Sequence, residues 1–344
     1  MKKLQWILFV LAMCGAVALA AQTSVSQYRI ANRIHVEGDG FWDYVTVDDA
    51  AARLYLSHGM VVNVVDLKTL KSIATIQDTK GVHGIAIARD LNKGFITCGR
   101  DSCVAVVALD SLKVAARVPT GRNPDAVLYE PSTHRVFAYN GGSGSATVID
   151  AKTNAVLGTI ALDGKPEFSA ADGKGNVWVN IEDKSMVAEI DALTMKVKAR
   201  WPIAPGEEPS GMALDAATRR LFIVCSNKLM IVMDADKGSV VANLPIGDRC
   251  DGTAFDPGLK RAYSSNGDGT LTVVQEIDKD NFKVLENVAT QRGARTIAVD
   301  ATTHHVYLPT AEFGPAPAPT PEHPRPRPTV LPGSFVVLDV APVK

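Results

Sequence analysis

The sequence predicts an all-β protein, a seven-bladed β-propeller built from four-stranded blades. The first observation is a periodic landmark, a run of apolar, mostly β-branched residues that ends in aspartate. The second is that each period contains four short strand-like runs separated by turn residues. The third is a strand-like run near the start of the chain that resembles the fourth strand of other periods. Such blades stack around an axis and close into a ring.

The landmark recurs seven times along the chain. Successive landmarks are 44, 40, 41, 43, 44 and 61 residues apart. The first five spacings average about 42 residues, the period of a four-stranded propeller blade. Seven landmarks therefore predict seven blades. Their aspartates are Asp66, Asp110, Asp150, Asp191, Asp234, Asp278 and Asp339.

The third period shows the four strands of one blade most clearly. They are "DAVLY", "RVFAYN", "SATVID" and "NAVLGTI", and the turns "PSTH", "GGSG" and "AKT" lie between them. Glycine, proline, serine and asparagine are the residues that turns need. Helical periodicity of useful length is absent after the first residues, which supports the all-β prediction.

The last period contains only three strands. The run "YRIANRIHV" at 28–36 resembles "LKVAARVPT" and "TMKVKARWPI", which are fourth strands. We therefore expect the N-terminal strand to complete the seventh blade, which limits exposed strand edges.

A proline-rich insertion in the last blade, residues 314–332, explains the 61-residue spacing. Its composition favours extended polyproline conformations. We expect either a mobile surface loop or a lid or partner-docking loop, with His323, Arg325 and Arg327 as its contact residues.

The first residues predict export. "MKK" is followed by an apolar run that ends in small alanines, the pattern of a secretory signal peptide. We expect a signal peptide over residues 1–21, cleavage near Ala20 to Gln22, and one propeller domain over 22–344. The mature protein would then be periplasmic or secreted, without a transmembrane span, and a monomer. Loss of two lysines takes the formal net charge from −1 to about −3, which argues against nucleic acid as a partner.

Four cysteines would remain after cleavage, an even number that permits two disulfides in an oxidising compartment. Cys98 and Cys103 flank a predicted hairpin loop, so we expect this pair. Cys225 with Cys250 follows by elimination.

The second strands carry a family resemblance. "LYLSH", "GFITC", "VFAYN", "LFIVC", "AYSSN" and "VYLPT" look like variants of the YVTN motif. The chain from about residue 28 to 344, apart from the insertion, resembles the bacterial YVTN-repeat, YncE-like seven-bladed propellers. The resemblance implies the fold. It implies no single activity, since related propellers serve as binding scaffolds, lactonases and parts of periplasmic redox enzymes.

Polar residues open the innermost strands, which line the central channel of a propeller. With His83 neutral, four carboxylates and one guanidinium give this ring a charge of about −3, and repulsion among carboxylates raises their pKa values. Oxygen ligands from several blades suit calcium or magnesium, and a histidine also suits a transition metal. The ring members are Asp43, His83, Asp125, Glu167, Ser210, Asp251 and Arg295.

A second tier of residues ends the second strands on the same face. Asn140 and Asn266 precede glycines, so they are either hairpin-turn residues or ligands, and His58 is the better ligand candidate. The tier consists of His58, Cys98, Asn140, Asn266 and Thr310, with Ile181 and Cys225 breaking the pattern.

Loops of this face hold further candidates. Arg100, Arg122 and Arg249 could meet an anionic group or simply be solvated. Phe41 and Trp42, beside the first ring residue, could form an apolar wall or pack between blades.

Dedicated catalytic motifs are absent from the sequence. His134, His304 and His305 are expected on the opposite face, away from the ring. No G-x-S-x-G elbow, C-x-x-C-H haem site, H-E-x-x-H zinc helix or P-loop occurs.

These observations favour a binding or scaffold propeller that presents a polar, acidic mouth to an unidentified small ligand or a periplasmic protein. The alternatives are a metal-assisted, lactonase-like hydrolase with His83 and Asp125 or Glu167 as base and orienter, and an accessory of a periplasmic redox system. A divalent metal in the channel is the candidate cofactor, and a channel that holds only water remains the third possibility for the ring.

Overall fold

The computed structural model describes residues 27–38, 40–320, 326 and 328–343. These residues form seven antiparallel sheets of four strands each, which confirms the predicted seven-bladed β-propeller. The predicted signal peptide and the loop residues His323, Arg325 and Arg327 lie outside the described residues.

The strands occupy four positions in each blade, numbered here in chain order. The inner strands are β2 (Trp42–Asp48), β6 (Val82–Ala88), β10 (Pro124–Glu130), β14 (Pro166–Ala171), β18 (Pro209–Asp215), β22 (Cys250–Asp256) and β26 (Ala298–Asp300). The second strands are β3 (Arg53–His58), β7 (Lys93–Cys98), β11 (Arg135–Asn140), β15 (Asn176–Ile181), β19 (Arg220–Cys225), β23 (Arg261–Asn266) and β27 (His305–Thr310).

The two outer positions complete the blades. The third strands are β4 (Val61–Asp66), β8 (Cys103–Ala108), β12 (Ser145–Asp150), β16 (Met186–Asp191), β20 (Leu229–Asp234), β24 (Thr270–Asp278) and β28 (Val336–Pro342). The outer strands are β5 (Lys71–Ile76), β9 (Lys113–Pro119), β13 (Val156–Ala161), β17 (Lys196–Pro202), β21 (Val240–Pro245), β25 (Asn281–Ala289) and β1 (Tyr28–His35).

Helix is confined to three short 3-10 segments in the described part of the chain, Arg89–Leu91, Gly99–Asp101 and Glu182–Lys184. No helix among the described residues has the length and apolar character that crossing a membrane requires.

The landmark aspartates of blades 1, 3, 4, 5 and 6 bond the turn that leads from the third strand to the outer strand. Asp339 of blade 7 lies within β28 and bonds Asn32 and His305 instead. In blade 1, Asp66 Oδ1 accepts the backbone N–H groups of Lys68 at 2.9 Å and Thr69 at 2.7 Å. Asp150 makes the same two bonds in blade 3, at 2.9 and 2.8 Å. An aspartate that bonds the backbone two and three residues ahead stabilises a tight turn. The periodic signal is therefore architectural.

The ring closes through the N-terminal strand, as predicted. β1 pairs antiparallel with β28, with Tyr28 opposite Pro342 and His35 opposite Val336. Tyr28 is 2% exposed, and its hydroxyl lies 2.8 Å from that of Tyr263 in blade 6. The seventh blade thus joins both ends of the described chain.

Apolar side chains fill the space between neighbouring blades. Phe222 of blade 5 is fully buried and stacks on Phe255 of blade 6, with ring centroids 5.1 Å apart. Nearer the axis the inner strands touch. A Cβ on Gly211 would lie 2.7 Å from the backbone nitrogen of Thr253, so this contact requires glycine. Close inner strands bring the polar ring within a narrow space.

Candidate functional site

A bulge in the inner strands places the ring residues. In blade 1 the register shifts between Trp42 and Val45, and Asp43 and Tyr44 occupy the bulge. The same two-residue shift occurs in blades 2 to 5, and in blade 6 the shift skips only Asp251, between Cys250 and Gly252. Ser57 holds the bulge, because its hydroxyl accepts the N–H of Asp43 at 3.1 Å and donates to the carbonyl of Tyr44 at 3.0 Å. Bulges re-aim side chains, here two consecutive ones in each of blades 1 to 5.

Three ring residues from adjacent blades come together, and we call Asp43, His83 and Asp125 the axial cluster. His83 Nδ1 lies 2.7 Å from Asp43 Oδ2 and 3.7 Å from Asp125 Oδ1. One ligand atom of each residue lies within 4.8 Å of the others, and all three side chains are half-buried. Gly99 leaves room for the imidazole, since a Cβ there would meet His83 Nε2 at 2.8 Å.

Basic residues compensate the rest of the ring. Arg295 forms an ion pair with Asp251 and lies 3.4 Å from Asp43 Oδ1. Lys165 Nζ lies 2.8 Å from Glu167 Oε1. The charge of about −3 that the sequence predicted for the ring did not include Lys165. Arg295 also precedes β26 by three residues and does not open that strand as expected, because the seventh inner strand is short.

Ser210, the remaining ring residue, belongs to blade 5. Its backbone carbonyl accepts the side-chain amide of Asn180 at 2.8 Å. Its hydroxyl oxygen is buried and has no hydrogen-bond partner among the described residues.

Burial and mutual charge shift the titration of the ring. Burial lowers the pKa of His83, but the hydrogen bond with Asp43 and the charges of Asp125 and Asp43 outweigh it and raise the pKa. Burial, with the charge of Asp43, raises the pKa of Asp125 to about 6. Burial, with the charge of Asp125, raises the pKa of Glu167 to about 7 despite Lys165. Bound protons or a bound cation would relieve this repulsion.

An aromatic pair crosses the channel beside the axial cluster. Tyr44 of blade 1 and Phe168 of blade 4 stack with centroids 4.4 Å apart and an interplanar angle of 28°. Blades 1 and 4 are three apart in a ring of seven, so the pair bridges opposite sides. The other blades have small residues at this position: Gly84, Ala126, Gly211, Gly252 and Thr296.

The hydroxyl of Tyr44 is buried without a hydrogen-bond partner among the described residues. Burial, followed by the charges of Asp125 and Glu167, raises the pKa of Tyr44 well above its ordinary value. An unpaired buried hydroxyl costs about 1–3 kcal/mol. The hydroxyl is thus a neutral polar group near the carboxylates and is not hydrogen-bonded to any described residue.

The axial cluster offers suitable ligands for a divalent cation. Two carboxylates and one imidazole suit Mn²⁺ or Zn²⁺, whereas carboxylates alone favour Ca²⁺ or Mg²⁺. Among the described residues, the axial cluster is the one group of three such side chains close enough to share an ion.

His58 lies away from the axial cluster, in contrast to its expected role. It is 1% exposed, and its Nδ1 lies 3.1 Å from Asn63 Oδ1. Its ring packs on Phe335 at a centroid distance of 4.1 Å. Packing between blades 1 and 7 accounts for this histidine.

The two candidate asparagines are also fully buried in their own hairpins. Asn140 Nδ2 donates to Thr147 Oγ1 at 3.0 Å, and Asn266 Nδ2 donates to Thr272 Oγ1 at 3.0 Å. These amides support the turn between the second and third strands, the structural alternative considered from the sequence.

The four described cysteines are free thiols, so the expected disulfides are not formed in this structure. Cys98 and Cys103 are nonetheless cross-strand partners in the β7–β8 hairpin. The thiol of Cys250 donates to the carbonyl oxygen of Cys225 at 3.0 Å. Each expected pair is therefore adjacent in the fold.

Sequence reasoning missed Tyr44, Phe168 and Lys165. Tyr44 and Phe168 stand where the other inner strands have glycine, alanine or threonine, and this departure was visible in the repeats. Lys165 is two residues before Glu167, directly before strand β14, and this spacing gave no signal in the sequence.

Comparisons with known proteins place the chain among propellers. No family model matches it. It is 23% identical over 235 residues to the uncharacterized protein YncE of Escherichia coli strain K12, covering 61% of this chain and 65% of that protein. It is 21% identical over 246 residues to the uncharacterized protein YncE of Salmonella typhi, covering 66% of each. The chain therefore spans about two thirds of the length of these curated relatives.

Solved structures share the fold at low identity. U3-55K superposes with a TM-score of 0.73 at 10% identity, covering 91% of this chain and 98% of that chain. Hydrazine synthase of Kuenenia stuttgartiensis superposes with a TM-score of 0.68 at 16% identity, covering 80% and 94%. Such likeness shows the fold alone. With the curated matches, it confirms the resemblance indicated by the second strands: the chain is a seven-bladed β-propeller that is similar to YncE.

Proposed function

We propose that this protein is an exported binding propeller that holds a divalent cation in its axial cluster, at a mouth presented to a small ligand or a protein partner. The observation that carries the proposal is the convergence of Asp43, His83 and Asp125, with ligand atoms within 4.8 Å of one another. Export rests on the first residues of the sequence alone.

The surroundings of the cluster support a cation. Arg295 and Lys165 compensate Asp251 and Glu167, but no lysine or arginine in the described residues bonds to Asp125. Burial and the charge of Asp43 raise its pKa more than His83, Lys165 and Arg295 lower it. A divalent cation would add positive charge beside the carboxylate and release its proton.

Metal loading tests the proposal. The purified protein is stripped with chelator, loaded separately with Mn²⁺, Zn²⁺ and Ca²⁺, and assayed by calorimetry and elemental analysis. We expect one bound ion per chain, with Asp125→Asn and His83→Gln each weakening binding tenfold or more. His304→Gln is the matched control, because His304 also lies 2.7 Å from an aspartate, Asp256, and belongs to no group of three candidate ligands among the residues that the structure describes. Absence of saturable binding at millimolar metal overturns the proposal.

A second candidate is a metal-assisted hydrolase of the lactonase kind. The observation that favours it is the 2.7 Å contact between His83 and Asp43, in which the carboxylate orients the imidazole as a general base. A panel of lactones tested with metal-loaded protein decides it. Turnover that disappears in His83→Gln and persists in His304→Gln supports the enzyme, and no turnover with any loaded metal excludes it for that panel.

A further inference from the structure

A cavity beside the axial cluster has the opposite charge. It lies at the mouth where blades 6, 7 and 1 meet, and its volume is about 440 Å³, within the range of about 300–1,000 Å³ that is typical of ligand pockets. Arg249, Arg292 and Arg295 line it, against one carboxylate, that of Asp251. The described lining thus carries a positive excess, in a chain whose formal net charge is −1.

Two of these arginines form no ion pair among the described residues. Arg295 is engaged by Asp251, whereas the guanidinium groups of Arg249 and Arg292 have no ion-pair partner within the described part of the chain. Gly267 allows the side chains of Arg249 and Arg295 to lie close together, since a Cβ at residue 267 would lie 3.1 Å from Arg249 Cβ and 3.7 Å from Arg295 Cβ. Unpaired guanidinium groups around a concave space attract an anion and bind carboxylates in a bidentate manner.

Aromatic side chains form the apolar wall of the same cavity. Phe313 lies against Arg292, whose Cζ is 6.0 Å from the ring centroid, and Trp42 packs on Phe313 at 5.9 Å. Gly293, at φ +89°, permits this packing, because a Cβ there would lie 2.7 Å from the Phe313 ring. Phe41 is 47% exposed at the rim. This wall would pack against a flat apolar group.

We propose that this cavity binds a small carboxylate with a flat apolar body. The carboxylate lies between Arg249 and Arg292, and the body packs against Phe41 and Phe313. The inference goes beyond the proposed cation site, since the two sites select opposite charges and share only the neighbourhood of Arg295.

Naphthoate is the probe for this site. Its binding is followed by fluorescence titration of the full chain in excess chelator, so the outcome does not depend on the cation site. We expect saturable binding, with uncharged naphthalenemethanol and with acetate each bound at least tenfold more weakly. The first comparator lacks the charge and the second lacks the apolar body.

Variants separate this site from general attraction to arginine. Arg249→Gln and Arg292→Gln should each weaken naphthoate binding tenfold or more. Arg122→Gln is the matched control. Arg122 lies in the corresponding loop of blade 3, at the position equivalent to Asp248, one residue before the equivalent of Arg249. Its guanidinium donates to the Gly142 carbonyl at 2.8 Å and does not line the cavity. The affinity of Arg122→Gln for naphthoate should equal that of the unmodified protein.

Phe41→Ser provides a test that does not endanger folding, because Phe41 is exposed. It should weaken naphthoate binding while leaving acetate unaffected. The proposal is overturned if naphthoate shows no saturable binding, if naphthalenemethanol binds equally well, or if Arg292→Gln retains the affinity of the unmodified protein.

Discussion

Replacing Tyr44 by phenylalanine should stabilise the protein without cation and weaken its cation site. The substitution removes a buried hydroxyl that has no hydrogen-bond partner among the described residues. It keeps the ring that stacks on Phe168 at 4.4 Å. A hydroxyl retained at a cost to stability is expected where a ligand uses it.

The magnitude follows from the cost of the unpaired hydroxyl. Removing it should raise the free energy of unfolding by about 1–3 kcal/mol. At about 2.1 cal/mol/K of unfolding entropy per residue, for a domain of roughly 310 residues, this corresponds to an increase in Tm of about 2–5 °C.

Differential scanning calorimetry in chelator, and again in saturating Mn²⁺ or Zn²⁺, measures both effects. The Tm of Tyr44→Phe should exceed that of the unmodified protein in chelator, and its further increase on adding metal should be smaller. Tyr139→Phe removes another buried hydroxyl, on β11, and should leave the metal-induced increase unchanged. A lower Tm for Tyr44→Phe in chelator would refute the reasoning, since the hydroxyl would then have a stabilising partner.

Three further predictions concern pH and packing. Burial raises the pKa of Glu276 from 4.5 to about 7, so its contribution to stability is present below pH 4.5 and lost as the pH rises through 7. In urea unfolding, the free energy of unfolding of Glu276→Gln relative to that of the unmodified protein should therefore increase by up to about 3 kcal/mol between pH 4 and pH 8. A difference that stays constant with pH would contradict this. Protons compete with metal for Asp125, whose pKa is about 6, and for His83, whose pKa is raised. The affinity for Mn²⁺, measured by calorimetry, should therefore increase about tenfold or more from pH 5.5 to 7.5. Equal affinities at the two pH values would place the ion elsewhere. Gly211→Ala would put a Cβ 2.7 Å from the neighbouring inner strand and should lower the free energy of unfolding by about 1–3 kcal/mol. Gly141→Ala is the control, because the nearest atom to its Cβ would be 3.8 Å away. Equal stabilities of the two variants would show that the inner strands can move apart.

The seven blades, their order and the closure of the ring could be predicted because each depends on local chemistry repeated along the chain. Asp66 and Asp150 make the same turn bonds, and strand β1 has the pattern of the other outer strands. The positions of Asp43, His83 and Asp125 were predictable for the same reason, since a repeated strand directs its equivalent residues to one axis.

What the repeat does not encode is the distance between individual side chains. Asn140 and Asn266 occupy equivalent positions, yet their burial became apparent only when the hairpins were folded. The assignment of Arg295 to Asp251, and of Lys165 to Glu167, depends on loops that differ between blades.

The sequence by itself therefore determined a closed seven-bladed ring with a polar mouth, because turn residues and strand periodicity act within a single blade. Only the tertiary structure decided which charges remain uncompensated, that Tyr44 and Phe168 meet across the axis, and that Arg249 and Arg292 border one cavity. Those contacts join residues from separate blades, and their energies depend on distance and burial, which the order of residues in the chain does not specify.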